Sequence, residues 1–378
     1  MYVSQVVVRG REDVAAQLAS LADARPGWVL AFGPPERLRD VARVLEAMFP
    51  DAIRTGCTTA GEISAAGVTG DTCVVTVVRF RAVPLFQAST TLAGMADSHA
   101  AGVRLGVQLP AEGLRAVLLI GQGVSINGSA LIRGLVEVIG PGIPVTGGLA
   151  GDEGAFRETW VLDRDGVCNE TIACLGFYGE GLRYSHGSFG GWIPFGPMRK
   201  VTRADGNVLL ELDGQPALET YKRYLGEHAR DLPGAALLFP LAMVGGDHDE
   251  AGLIRTVLGV DESQGSLTLA GELNPGGHVR LMHASTDALV GGAQVAAGAA
   301  LQGQAGASPA LVLLVSCVGR KLLMGGRVDE EVEAVAEVFG SNAVLAGFYS
   351  NGEISPRAID RACRLHNQTM TITVFSEA

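Results

Sequence analysis

Apolar positions along the chain recur in a fixed order. A short unbroken apolar run comes first, then a stretch with helical spacing, a second apolar run and a glycine-rich phrase holding a carboxylate. The first instance is "WVLAFG" (28–33), "ERLRDVARVLEAMF" (36–49) and "AIRTGCTTAGEI" (52–63). The second is "AVLLIGQG" (116–123), "ALIRGLVEVIG" (130–140) and "IPVTGGLAGDEG" (143–154). The third is "LVLLVSCVG" (311–319), "DEEVEAVAEVFG" (329–340) and "AVLAGFYSNGEI" (343–354). Val41, Val44, Leu45 and Met48 fall at i, i+3, i+4 and i+7, one face of an amphipathic helix. A strand–helix–strand unit this short predicts a βαβ crossover with its two strands parallel. A further strand follows each phrase, over 72–80, 170–179 and 368–375.

The phrases "GCTTAGEIS" (56–64) and "GFYSNGEIS" (347–355) share an opening glycine and the run Gly-Glu-Ile-Ser. In the middle unit Gly151 and Asp152 take the places of Gly61-Glu62 and Gly352-Glu353, with a loop one residue shorter. Recurrence of phrase, helix and trailing strand in the same order predicts internal duplication. Ligands of open α/β sheets bind beyond the carboxyl ends of parallel strands, where these loops lie. Glu62, Asp152 and Glu353 therefore either brace their loops by accepting backbone N–H groups or face a ligand.

Between the second and third units the pattern changes. Asp205-Gly206-Asn207 separates two strand candidates as a hairpin signal, and "PALETYKRYLG" (216–226) is a helix opened by Pro216 and closed by Gly226. "AALLFPLAM" (235–243), 253–273 and "VRLMHAS" (279–285) supply further strands, so the whole reads as α/β with mixed sheets.

A chain of 378 residues, 47% of them apolar, exceeds the usual limit of one core and predicts more than one domain. The net charge of −11, with no Lys/Arg stripe, argues against nucleic acid. Residues 288–319 carry no charge, but Gln294, Gln302, Gln304 and Pro309 interrupt them, so no membrane span is expected. The six cysteines form no Cys-x-x-Cys, and the N-terminus shows no secretory signal, which together predict free thiols in the cytoplasm.

On "GCTTAGEIS", "PVTGGLAGD", "SCVGRKLLMG", "GFYSNGEIS", "GNVLLELDGQPALETYKRYLG" and "LHNQTMTITVF", the sequence resembles FIST-domain proteins, bacterial sensory modules with N- and C-terminal halves. The resemblance covers most of residues 28–376. It implies two FIST-type halves with pseudo-symmetric duplication: a FIST N-like domain at 25–180, a central insert beginning the FIST C-like domain at 181–308, and a unit completing it at 309–378. It also implies sensing of a small ligand in the cytoplasm, with output through a histidine kinase or a cyclic-di-GMP enzyme, and it leaves a homodimer open. "SHGSFGGWIPFGP" (185–197) and "LLFPL" (237–241) are similar to the stand-alone members that sense nitric oxide through haem and regulate a histidine kinase.

Such a sensor needs one imidazole for the iron and an apolar slot. His186 and then His366 are the candidates for noncovalent haem b, with Phe189 and Trp192 as stacking surfaces; a structural histidine is the simpler reading of each. His99, His228, His278 and His283 fit polar or structural settings, and His248 in "GDHDE" is a weak cation candidate. A haem-free sensor of a polar metabolite such as an amino acid would use Arg320 and Glu353 as contacts. Catalysis is not expected. Its remote form is a Cys317 thiolate beside Arg320, for which no base or oxyanion hole is evident.

Overall fold

The apolar runs become strands buried on both faces, the pattern that parallel strands under helices require. The computed structural model describes residues 1–10, 13–244, 251–273, 275–304, 310–341, 343–357 and 362–378. Unit one comprises β1 (Tyr2–Arg9), α1 (Val14–Leu18), β2 (Trp28–Phe32), α2 (Pro35–Met48), β3 (Ile53–Cys57), β4 (Glu62–Ser64), β5 (Gly67–Thr69) and β6 (Thr72–Arg79). Unit two repeats the order: β7 (Leu85–Thr91), α3 (Ser98–Gln108), β8 (Leu114–Gly121), α4 (Gly128–Ile139), β9 (Val145–Leu149), β10 (Val161–Asp163), β11 (Gly166–Cys168) and β12 (Thr171–Tyr178).

Unit three begins with β13 (Leu182–Phe189), and the insert follows. The insert holds β14 (Ile193–Asp205), β15 (Val208–Leu212), β16 (Gln215–Pro216), α5 (Ala217–Leu225), β17 (Leu241–Val244), β18 (Ala251–Arg255), β19 (Val257–Asp261), β20 (Ser266–Leu269) and β21 (His278–His283). The unit resumes with α6 (Thr286–Gln302), β22 (Leu311–Cys317), α7 (Val318–Met324), α8 (Asp329–Phe339), β23 (Val344–Ser350), β24 (Gly352–Pro356), β25 (Cys363–His366) and β26 (Met370–Glu377). The fold is mixed α/β, as expected. Two local readings change: the third apolar run stops at Cys317 because a helix starts at once, and residues 234–238 form a 3-10 turn ahead of β17.

In each unit the two crossover strands pair in parallel, β2 with β3, β8 with β9 and β22 with β23. The trailing strand then pairs antiparallel with the first of them and with the unit's opening strand. The short hairpin after each glycine phrase does not stay at home. Hairpin β4–β5 of unit one joins β23 of unit three, β10–β11 of unit two joins β3 of unit one, and β24–β25 of unit three joins β9 of unit two. This closed exchange ties the units into one body.

Strand periodicity divides the side chains between two environments. Trp28, Leu30 and Phe32 of β2, Ala116, Leu118 and Ile120 of β8, and Leu311, Leu313 and Val315 of β22 share one central core. There Trp28 meets Phe177 edge-on at 5.4 Å and Phe375 at 5.7 Å, one ring from each sheet. The alternate positions, such as Val29, Leu119 and Leu314, pack outward under the helices of their own units.

The opening glycine of each phrase has a steric cause. A Cβ on Gly56 would lie 1.8 Å from the Ala31 carbonyl oxygen; on Gly147, 1.9 Å from that of Leu119; on Gly347, 1.9 Å from that of Leu314. All three stand on the second crossover strand and press against the backbone of the first. Among the described residues no helix is long and apolar enough to cross a membrane.

Candidate functional site

The three glycine–carboxylate tips converge. Ala60 N donates to the Tyr349 carbonyl at 2.8 Å, Gly151 N to Thr58 at 2.9 Å and Asn351 N to Leu149 at 3.2 Å. They close directly on one another: a Cβ on Gly151 would sit 2.6 Å from Ala60 N.

The carboxylates brace these loops. Glu62 accepts from the Thr59 hydroxyl at 2.7 Å and from the Thr72 hydroxyl at 2.9 Å and amide at 3.3 Å. Glu353 accepts from the Ser350 hydroxyl at 2.9 Å and from the Thr369 hydroxyl at 2.8 Å and amide at 3.1 Å. The two sites are copies, each carboxylate pinning its phrase to the start of the trailing strand. Asp152 is not the third copy, contrary to the alignment of the phrases. The ladders set Gly56, Gly147 and Gly347 opposite Leu162, Ile354 and Ile63, so the position of Glu62 and Glu353 falls on Val161 in unit two. Asp152 instead accepts from the amides of Phe156, Arg157 and Glu158, closing its own turn.

Burial pushes Glu353 up to about 7 and also raises Glu62. The native protein therefore holds the Glu353 proton to higher pH than the unfolded chain, and stability falls as pH rises from about 4.5 toward 7, then levels. Glu353→Gln keeps the acceptor for Thr369 and removes that slope. Denaturant titrations at pH 5 and pH 8 should show the wild type losing on the order of 3 kcal/mol more than the variant between them. Parallel losses would show that this carboxyl does not carry the charge penalty.

Arg320 is fully buried and already committed. Its Nη2 and Nε donate to Glu331 at 2.6 and 3.1 Å, Nη2 also to the Leu289 carbonyl at 2.9 Å, and Nη1 to the Gly190 carbonyl. Cys317 is buried with its thiol pushed well up by desolvation and then by Glu353, the opposite of an activated thiolate.

His366 is buried and its Nε2 lies 2.9 Å from the Ser355 carbonyl. Trp192 is buried with its indole N–H on the Gln368 carbonyl at 2.7 Å, whereas Phe189 is 47% exposed. His186 lies on β13 beside Tyr184, half-buried. The glycines of "SHGSFGGW" serve helix packing: Cβ atoms on Gly187 and Gly191 would each lie 2.1 Å from carbonyls of α6, Ala296 and Ala288. None of the four haem candidates lines the cleft between α4, the insert and hairpin β24–β25. His248 lies outside the described residues, and among the described residues no cluster of His, Cys, Asp and Glu is arranged for a metal.

The hollow lies elsewhere. A cleft of about 890 Å³ opens where α4, the insert and the exchanged hairpin β24–β25 meet. Ser129, Ile132 and Arg133 come from α4, Met243, Val244 and Arg255 from the insert, and Arg357, Arg364 and Leu365 from the hairpin. None of Glu62, Asp152, Arg320 or Glu353 lines it. Glu272 ties insert to helix, accepting from Arg133 at 2.9 Å and from Asn127, the N-cap of α4, at 3.0 Å; Arg133 first, and then Asn127, lower its pKa despite partial burial.

Arg255 is 4% exposed, and burial brings it down to about 10. Behind Leu365, burial and then Arg255, Arg357 and His186 hold His366 down to about 4, so the imidazole is neutral at physiological pH. The sequence did carry a signal for this site, since Arg357 and Arg364 stand seven residues apart in an acidic chain.

Comparison with known proteins assigns most of the chain to two domain models, with their boundary inside the insert. The FIST N domain matches residues 27–215 and the FIST C domain residues 217–356. Uncharacterized proteins of Mycobacterium bovis and Mycobacterium tuberculosis are each 30% identical over 252 residues, 62% of this chain and 61% of theirs. The match thus spans about three-fifths of those relatives. An uncharacterized protein of Methanocaldococcus jannaschii is 32% identical over 88 residues, 23% of this chain and 17% of its own. A solved cyanuric acid hydrolase from A. caulinodans aligns over 100% of this chain and 98% of its own, at 10% identity and a TM-score of 0.37. With both domain matches in sequence and together covering most of its length, this chain belongs to the FIST family.

Proposed function

We propose that this chain is a small-ligand sensor in signal transduction, with the cleft between α4, the insert and hairpin β24–β25 as its receptor site. The observation that carries the reading is where the cleft's walls come from. Ser129 and Arg133 lie in the FIST N match, and Arg255 and Glu272 in the FIST C match, so one ligand touches both. Apolar side chains and a few charged groups line a volume suited to a metabolite. Occupancy would favour one arrangement of the two domains, which a partner can read. That partner is a histidine kinase or a cyclic-di-GMP enzyme, and the chain itself performs no catalysis.

Thermal-shift screening of the full chain against polar metabolites tests this, with haem as a separate arm. A ligand at a hundred times its Kd adds about 2.7 kcal/mol of stability and raises the melting temperature. Ser129→Trp, which fills the cleft from α4, should abolish the shift. A screen without a hit, alongside a Soret band that moves with nitric oxide, would replace the metabolite reading with the haem one.

A further inference from the structure

The cleft's charge runs against that of the molecule. The chain carries −11 overall, yet the described lining holds Arg133, Arg255, Arg357 and Arg364 against Glu137 and Glu272. Glu272 is taken by Arg133, and Glu137 lies 3.1 Å from His99. Arg255 meets only backbone carbonyls among the described residues, and at long range: Glu272 at 3.3 Å, Ile254 at 3.4 Å and Leu365 at 3.1 Å. Its Nη2 has no acceptor among them.

Glu272 acts on Arg255 only at a distance, and a buried guanidinium with no carboxylate in contact is costly unless something anionic completes it. Its position is also built. A Cβ on Gly271 would fall 2.8 Å from the guanidinium carbon, so a side chain there would displace the group from where it now lies. Arg364, exposed on β25, donates only to the Cys363 carbonyl at 3.4 Å among the described residues.

We infer that the cleft recognises an oxyanion, the carboxylate or phosphate of a small metabolite, held by Arg255 with Arg364 and Arg133 at the rim. The inference rests on the cleft being the sensor's receptor site. A planar fork of N–H donors suits either oxyanion in bidentate geometry. Two arginines at the rim strengthen the attraction and make it sensitive to salt.

Calorimetry and thermal shift on the full chain test this with succinate, inorganic phosphate and the neutral isostere succinamide. Succinate or phosphate should bind, weakening as sodium chloride is raised, while succinamide does not. Which anion binds tells carboxylate from phosphate. Arg255→Gln should cost about tenfold to a hundredfold in affinity, the worth of a charge-assisted hydrogen bond. If that variant does not fold, Arg364→Gln, at an exposed position, must weaken binding and flatten its salt dependence. Equal binding of succinamide, no response to either anion, or undiminished affinity in folded Arg255→Gln overturns the inference. A neutral metabolite whose binding Ser129→Trp abolishes would sink the anion and leave the cleft sensor standing. Anion binding that survives Ser129→Trp would sink both.

Discussion

Arg320→Ala loses about 3–5 kcal/mol of stability, because it leaves Glu331 buried without its cation. Both side chains are 0% exposed, and their shortest contact is 2.6 Å. Glu331 also accepts from the Ser316 hydroxyl at 3.0 Å and from the Tyr349 hydroxyl. One carboxylate thus joins α7, β22 and β23, while Arg320 reaches on to Gly190 and to Leu289 of α6. Removing the guanidinium strands the carboxylate and frees two backbone carbonyls. Arg320→Met combined with Glu331→Gln removes both charges, keeps an acceptor for Ser316 and Tyr349, and should recover most of the loss. Urea unfolding of the wild type and the two variants measures this. An Arg320→Ala protein of near-wild-type stability that no longer responds to ligand would return Arg320 to the role of ligand contact.

The second large effect concerns the opening glycines. Gly347→Ala places a methyl group 1.9 Å from the Leu314 oxygen and 2.8 Å from its carbonyl carbon. The obstacle is the backbone of a strand buried on both faces, which cannot rotate aside as a side chain would. The β22–β23 pair has to separate, at a cost at or above the upper end of the about 1–3 kcal/mol typical of overpacking. Gly147→Ala should do worse, because it adds a φ of +132° to a 1.9 Å clash with Leu119. Gly298→Ala in α6, where a Cβ meets nothing within 4 Å, is the control and should be neutral or gain up to about 1 kcal/mol. Melting curves of the variants decide. A harmless Gly347→Ala would mean that the parallel strands tolerate a side chain there, and that this glycine recurs for another reason.

Much of the fold could be read along the chain. The runs at 28–32, 116–121 and 311–315 are uniformly apolar because each lies between the central core and a layer of helices. Glycine at 56 and 347 was legible as the shared opening of two phrases, whereas the steric reason, and Gly147 as the third case, came from the strand register. For Glu62 and Glu353 the phrase left bracing and ligand contact both open, and Thr72 and Thr369 emerged as their partners only in the structure. Asp152 misled because similarity between phrases measures spacing along the chain, whereas the hairpin ladder counts from the glycine it pairs with. By that count Val161 is the counterpart. In the aromatic glycine segment at 185–192, Gly187 and Gly191 have a second explanation in the close approach of α6.

By itself the sequence determined the three crossover units, because their paired strands, the helix between them and the trailing strand follow from local periodicity; the opening strands, the short hairpins and the helices at 14–18 and 98–108 were not legible. Which sheet each hairpin joins was decided only in three dimensions, because alternation reports that a face is buried and not what buries it. The cleft belongs to the same class. Arg133, Arg255 and Arg364 stand more than a hundred residues apart and meet because the third unit's hairpin crosses to the second unit's sheet under the insert.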